Sequence, residues 1–290
     1  SVDPYMRGRM TERESYIASF GLNEALTGGA IGRVERSRTP DFEEGDIVES
    51  FFGWREAFTA DAGELRRIGN LAAPPSAYLG VLGMPGLTAY VGLFEIGSLR
   101  PGADVVYVSG AAGAVGSAVG QIAKVKGCRA VGSAGGADKV RHLVEDLHFD
   151  HAFDYRDGHL AKQIRVGAPD GVDVYFDNVG GTHLQAGINC MRKNGRIVLC
   201  GMIAQYNALG AEPGPNNLIV AIGSQLTLRG FIVSNYYHLH EKFLEEMSEW
   251  VRSGDVTYRE TVFNGIESMP DAFIGLFSGL NTGKMIVSLE

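Results

Sequence analysis

From about residue 101 onward, apolar positions fall into two alternating patterns. Short runs rich in β-branched and aromatic residues at 104–109, 129–133, 151–155, 172–178 and 195–201 have the length and composition of buried strands. Between them, at 114–126, 138–147, 158–166 and 182–191, apolar residues return with the spacing of one helix face. A further apolar strand at 226–233 and an amphipathic helix at 239–252 follow. Strand then helix, repeated, requires a mostly parallel sheet covered on both faces. The pattern therefore predicts a doubly wound α/β domain of about six strands.

The flanks lack that alternation. Residues 30–35 and 46–52 are short β-prone segments separated by glycine, proline and acidic clusters. Beyond residue 254 come a strand-like run at 258–263, a helix at 270–280 and a last strand at 284–289. The simplest architecture is a discontinuous β-rich domain made from both ends, residues 1–85 and 254–290, with the doubly wound domain, residues 86–253, inserted between them. A cleft between two such domains is a usual place for a small-molecule site.

The first strand-to-helix junction carries chemistry. Val105, Val106, Tyr107 and Val108 run into Gly110-Ala-Ala-Gly113-Ala-Val-Gly116 and then into a helix rich in small residues. A diphosphate has to come close to the backbone where a strand turns into a helix. Small residues leave that turn open, and the unpaired amides of the helix start face the anion. Gly110, Ala112, Gly113, Ala114, Val115 and Gly116 are therefore expected to hold a dinucleotide, with Ala118 and Gly120 keeping the helix close to the sheet. The spacing is GxxGxxG rather than GxGxxG, so a turn that only packs a helix on a sheet stands as the alternative. At the end of the second strand an NAD site usually places a carboxylate for the adenosine ribose. This chain has Ser133-Ala-Gly-Gly, which leaves room for a 2′-phosphate, and Lys139 in the next helix is placed to reach it. Asp138 reads instead as a helix-start acid beside the positive end of the dipole. The cofactor expected is NADP(H); a solvated surface lysine is the alternative for Lys139.

Composition narrows the class. At 290 residues and 45% hydrophobic, the chain can bury two joined cores, and no apolar run approaches membrane-spanning length. No signal peptide is recognisable at the start. A net charge of −8 argues against general nucleic-acid binding, so a tetra-anionic cofactor must be captured by local amides and a few cations. Cys128, Cys190 and Cys200 form no CxxC pair and lie in apolar settings, which fits reduced thiols and a cytoplasmic location. No metal site is expected: no set of three converging ligands is visible, and His238 and His240 are two apart, off a shared helix face.

Five motifs in order, VDPYMRGRM at 2–10, GMPGLTAYVGL at 83–93, GAAGAVGSAVGQIAKVKGC at 110–128, DNVGG at 177–181 and CGMIAQYN at 200–207, cover nearly the whole chain. They closely resemble the zinc-independent alkenal/one oxidoreductase branch of the medium-chain dehydrogenase/reductases, which includes prostaglandin, plant double-bond and curcumin reductases. The resemblance implies a Rossmann domain beside a GroES-like catalytic domain, NADPH-dependent reduction of the carbon-carbon double bond of enones and enals, and a homodimer. It places Lys139, Tyr155 and Asn178 with the cofactor, Met84 and Thr88 near the nicotinamide, and Cys200, Gly201 and Tyr206 in a loop beside nicotinamide and substrate. Tyr5 matches a tyrosine lining the substrate pocket. The GHE motif and four-cysteine lobe of zinc-dependent relatives are missing from the sequence. Members of the branch have several strands upstream of VDPYMR, so the GroES-like domain is expected to be truncated at its N-terminal end.

Without zinc, neutral donors must meet the charge that develops on the carbonyl oxygen as hydride reaches the β-carbon. A phenol does this without bringing a cation into an apolar cleft. Tyr206 is the first candidate for that role and Tyr5 a pocket contact; walls giving shape alone are the alternative for both. Asn178 is expected at the cofactor or, alternatively, as a helix cap. A quinone reductase, or an NADPH-binding sensor without turnover, remain rival readings.

Overall fold

The computed structural model describes residues 1–12, 14–69, 71–208, 210 and 213–289. Strands β1 (Ala30–Arg33), β2 (Ile47–Ser50) and β3 (Arg66–Arg67) form an antiparallel sheet in the order β1-β2-β3, with Ala30 opposite Ser50. Helix α1 (Met84–Val91) carries Pro85 in its first turn, where the missing N–H is no loss. It runs into a wider π turn, Gly92–Ile96, closed by the Gly97 N–H on the Gly92 carbonyl at 2.8 Å.

The alternation then appears as expected. In chain order come β4 (Val105–Val108), α2 (Ala114–Val125), β5 (Arg129–Ala134), α3 (Ala137–Glu145), β6 (His151–Asp154), α4 (Leu160–Gly167), β7 (Val172–Asp177), α5 (Gly181–Ile188), β8 (Met191–Leu199), α6 (Leu218–Gly223), β9 (Thr227–Gly230) and α7 (His240–Ser253). The sheet is parallel throughout and ordered β6-β5-β4-β7-β8-β9. The chain steps outward from β4 to β6, returns, and steps outward the other way from β7 to β9. The reversal between β4 and β7 opens a crevice at their carboxyl ends, the place where such sheets bind nucleotides.

Side chains sort by strand period. On β4, Val106 and Val108 join Val119, Ile122, Phe243 and Trp250 on one face, while Tyr107 joins Val131, Ile164, Tyr175 and Ile197 on the other. Helix α2 lies unusually close to the sheet: a Cβ on Gly120 would come within 1.9 Å of the Phe149 ring, and one on Gly116 within 2.4 Å of the Gly110 carbonyl oxygen.

The last segment returns to the first lobe. Strands β10 (Glu260–Asn264) and β11 (Lys284–Ser288) flank α8 (Met269–Ser278) and pair in parallel, because the helix brings the chain back to the same end. Val2 and Met6 pack with Met269, Phe273, Leu276 and Met285, so the two chain ends share one core. The buried Lys284 ammonium donates to the Val2 carbonyl at 2.8 Å and to Asp3 Oδ1 at 2.7 Å across that seam. Among the described residues no helix is long and apolar enough to cross a membrane.

Candidate active site

The glycine turn closes on itself before α2 begins. The Ala111 N–H donates to the Ser133 carbonyl at 2.9 Å and the Gly113 N–H to the Gly110 carbonyl at 3.1 Å. The first intrahelical bonds come later, so the amides of Ala114, Val115 and Gly116 head the helix with their donors outward. Gly110 adopts φ 62°, a left-handed conformation that lets the strand turn sharply. From the other lobe, the Gly283 N–H donates to the Ala112 carbonyl at 2.7 Å, so the 281–283 segment lies against the turn. A turn that a Cβ at Gly116 would fill, headed by outward amides, fits a diphosphate.

Asp177, at the end of β7, organises the neighbouring strand ends. Its Oδ1 accepts from Ser109 Oγ at 2.8 Å, the Tyr175 hydroxyl at 2.7 Å, and the Val179 and Gly180 amides at 3.0 Å each. Its carbonyl accepts from the Cys200 and Gly201 amides at 2.9 and 3.1 Å. One residue thus ties the carboxyl ends of β4, β7 and β8 together, its carboxylate reaching β4 and its carbonyl the end of β8. Sequence reading passed over Asp177 because an acid ending a strand has no visible partner until the fold supplies one. Asn178 follows it and is tied back to β4, its amide donating to the Ser109 carbonyl at 2.8 Å. It does not cap α5, whose capping position is Gly180.

Tyr206 lies in the loop after β8. The Met202 N–H donates to its phenol oxygen at 3.2 Å, and that oxygen lies 3.3 Å from where a Cβ on Gly201 would stand. A cavity of about 540 Å³ opens here, lined by Cys200, Gly201, Met202, Tyr206, Phe231 and Asn235 among others. Phe231 and Asn235, just beyond β9, had no sequence signal beyond an apolar strand end. Burial, and then the nearby Asp177 carboxylate, pushes the Cys200 thiol up to about 12.

Tyr5 sits on a 3-10 turn, Pro4–Met10. Burial first, then Asp3, raises its phenol well above the ordinary tyrosine value, so it is a neutral donor. Arg7 on the same turn donates from Nε to Asn207 Oδ1 at 2.9 Å, which brings the Tyr5 segment against the Tyr206 loop. Thr88 is buried and turns its hydroxyl back to the Met84 carbonyl at 2.7 Å.

At the ribose end, Ser133 is fully buried and its hydroxyl meets the Tyr107 hydroxyl at 3.0 Å inside the sheet. Tyr155 is exposed and stands edge-on to His183, with ring centres 5.2 Å apart. Lys139 donates from Nζ to the Gly279 carbonyl, the C-cap of α8, at 2.7 Å. Among the described residues no group of three or more His, Cys, Asp or Glu is placed to hold a metal ion. His238 and His240 lie beside the rings of Tyr236, Tyr237 and Phe243.

Known proteins align with this arrangement. A family model described as the N-terminal domain of oxidoreductase matches residues 1–68, and one described as zinc-binding dehydrogenase matches residues 114–252. The chain is 41% identical over 292 residues to the NADPH-dependent curcumin reductase of Escherichia coli (strain K12), covering 99% of this chain and 84% of that protein. It is 44% identical over 293 residues to a 2-alkenal reductase (NADP(+)-dependent) of Nicotiana tabacum, covering 100% of this chain and 85% of that protein. The crystal structure of CurA from Vibrio vulnificus in complex with NADPH matches with a TM-score of 0.94 at 40% identity, over 100% of this chain and 87% of that one.

Proposed function

The chain belongs to the alkenal/one oxidoreductase branch of the medium-chain dehydrogenase/reductase superfamily, and from that membership we propose that it reduces the carbon-carbon double bond of α,β-unsaturated ketones and aldehydes with NADPH. The observation that carries the reading is the Tyr206 cavity, which opens beside strand ends held together by Asp177. When bound, the dihydronicotinamide supplies a hydride to the substrate β-carbon.

The chain's residues hold the reactants and answer the charge that develops on the carbonyl oxygen. We assign the backbone of Gly110, Ala112, Gly113, Ala114, Val115 and Gly116 to the diphosphate, and Lys139 and Tyr155 to the adenosine end; the hydroxyl expected there at Ser133 is instead buried against Tyr107. Met84, Thr88, Asn178, Cys200 and Gly201 are assigned to the nicotinamide end. Tyr206 is assigned as hydrogen-bond donor to the developing enolate oxygen and Tyr5 as the opposing contact. The Met202 amide supports this, because it donates to the phenol oxygen and holds the ring at the cavity wall. A preorganised phenol donor avoids the cost of burying an unpaired charge.

Turnover of NADPH against short enals, aryl enones and a small quinone tests the reaction class. Reduction of the enals and enones at the C=C bond, seen in the saturated product, is the expected result; a preference for the quinone would overturn it in favour of the quinone reductase. Tyr206→Phe is expected to lower kcat by about 10²–10³-fold, the usual loss for one oxyanion donor, with the NADPH dissociation constant unchanged. Wild-type turnover in that variant would reduce Tyr206 to a wall.

We also propose a homodimer in a cytoplasmic setting. The edge strand β9 and the exposed Leu218, Ile219 and Ile222 support the first. The three free cysteines support the second.

A further inference from the structure

Asp177 is a fully buried carboxylate that the reaction as assigned above does not use. The Ser109 and Tyr175 hydroxyls and the Val179 and Gly180 amides all converge on its Oδ1. The Asn178 amide is drawn to the same point through Ser109, whose Oγ it reaches at 3.0 Å. Three successive backbone N–H groups therefore face the carboxylate or the hydroxyl bound to it.

A planar trans peptide points its carbonyl away from its own N–H. With the Asn178, Val179 and Gly180 N–H groups turned in, the carbonyls of the same three peptides, those of Asp177, Asn178 and Val179, are turned out. There they meet the loop that carries Tyr206. The Asp177 carbonyl takes the Cys200 and Gly201 amides at 2.9 and 3.1 Å, the Asn178 carbonyl the Ile203 amide at 3.4 Å, and the Val179 carbonyl the Ala204 amide at 3.2 Å. Ile203–Gln205 is a 3-10 turn that Tyr206 closes, its N–H on the Ile203 carbonyl at 3.4 Å. The two loops also press together, since a Cβ on Gly180 would come within 2.4 Å of Met202 Sδ.

Accepting Tyr206 as donor to the developing enolate oxygen, we infer that Asp177 is a positioning residue for that phenol, acting through the three peptides between Asp177 and Gly180. Amide bonds to a carboxylate are charge-assisted, so they hold those peptides more firmly than a neutral acceptor would. The orientation of the peptides sets where the 200–206 loop hangs, and the loop sets where the phenol stands. A misplacement of about 1 Å at a reacting group can cost about a hundredfold in rate, so a distant carboxylate reaches the chemistry without touching the substrate.

Reduction of crotonaldehyde, a short enal, by the full chain and its Asp177→Asn, Tyr206→Phe and doubly substituted forms tests this, with the NADPH dissociation constant measured by fluorescence titration. Asp177→Asn is expected to lower kcat by about tenfold to a hundredfold, the range for losing a charge-assisted contact, with a much smaller change in NADPH affinity. Added to Tyr206→Phe it should cost little more, because the donor it positions is already gone. Ser109→Ala removes only the hydroxyl that relays the Asn178 amide; it should give a smaller loss that also vanishes beside Tyr206→Phe, and it carries the test if Asp177→Asn does not fold. Losses that simply add, a wild-type kcat in both the Asp177 and Ser109 variants, or a loss of NADPH affinity as large as the loss of kcat would overturn the inference and leave Tyr206 as the donor. Wild-type turnover from Tyr206→Phe alone would overturn both.

Discussion

Cys200 lines a cavity that we assign to electrophiles, since enals and enones alkylate thiolates. Burial, with the Asp177 carboxylate adding to it, raises its thiol to about 12, against about 8.5 for a free cysteine. The shift is upward, so the neutral thiol persists through the physiological range and the nucleophilic form is scarce. Iodoacetamide or a short enal at about pH 8 should leave the Cys200 peptide unmodified in a mass spectrum while a free thiol reacts fully. Alkylation at the rate of an exposed cysteine would contradict the burial. The sequence places Cys200 at the site through its motif, but its protonation depends on burial first and on Asp177 next, both of which only the fold supplies. Ser133 shows the same limit: the sequence fixes its place at the end of β5, whereas its hydroxyl faces Tyr107 inside the sheet. Arg156 carries no sequence signal because it lies in the short turn Tyr155–Asp157 after β6 and becomes a neighbour of Gly135 only through β5-β6 pairing.

At the scale of elements, the doubly wound half was readable because its strands are short apolar runs and its helices carry one apolar face. The observed strands fall within the expected ranges to a residue or two at most ends. Helix α1 was not readable. From Pro85 to Val91 every residue is buried, so no polar face marks the helical period, and Pro85 and Gly86 look like loop residues. The parallel pairing of β10 with β11 was equally hidden, since a strand-helix-strand pattern does not say which neighbour each strand finds. Close packing is more legible: Gly120 was expected to hold α2 near the sheet, and the Phe149 ring occupies the space a side chain would need. Gly120→Ala is therefore expected to destabilise the fold by about 1–3 kcal/mol through overpacking. Adding Phe149→Leu should recover part of that loss, and denaturant unfolding of the single and double variants measures the coupling. Strictly additive losses would show that the ring is not the obstacle.

Among the described residues, one edge of the large sheet comes with an exposed apolar patch on the preceding helix. Strand β9 pairs with β8 on one side and ends the sheet on the other, an edge that soluble proteins usually cover or charge. Just before it in the chain, α6 exposes Leu218, Ile219 and Ile222 at 50%, 72% and 73%. An open strand edge next to exposed aliphatic side chains is costly in a lone molecule, and a two-fold axis through such an edge satisfies both at once. The consequence reaches the cavity, because β9 runs directly into Phe231, Ile232 and Asn235 in its wall. Replacing Ile219 and Ile222 together with Glu should convert a dimer to a monomer in light scattering. It should also raise KM for an enone more than it raises the dissociation constant for NADPH, since the glycine turn lies at β4, in the middle of the sheet. A wild-type monomer would remove the interface. A monomeric variant with unchanged KM would keep it and break its link to the cavity wall.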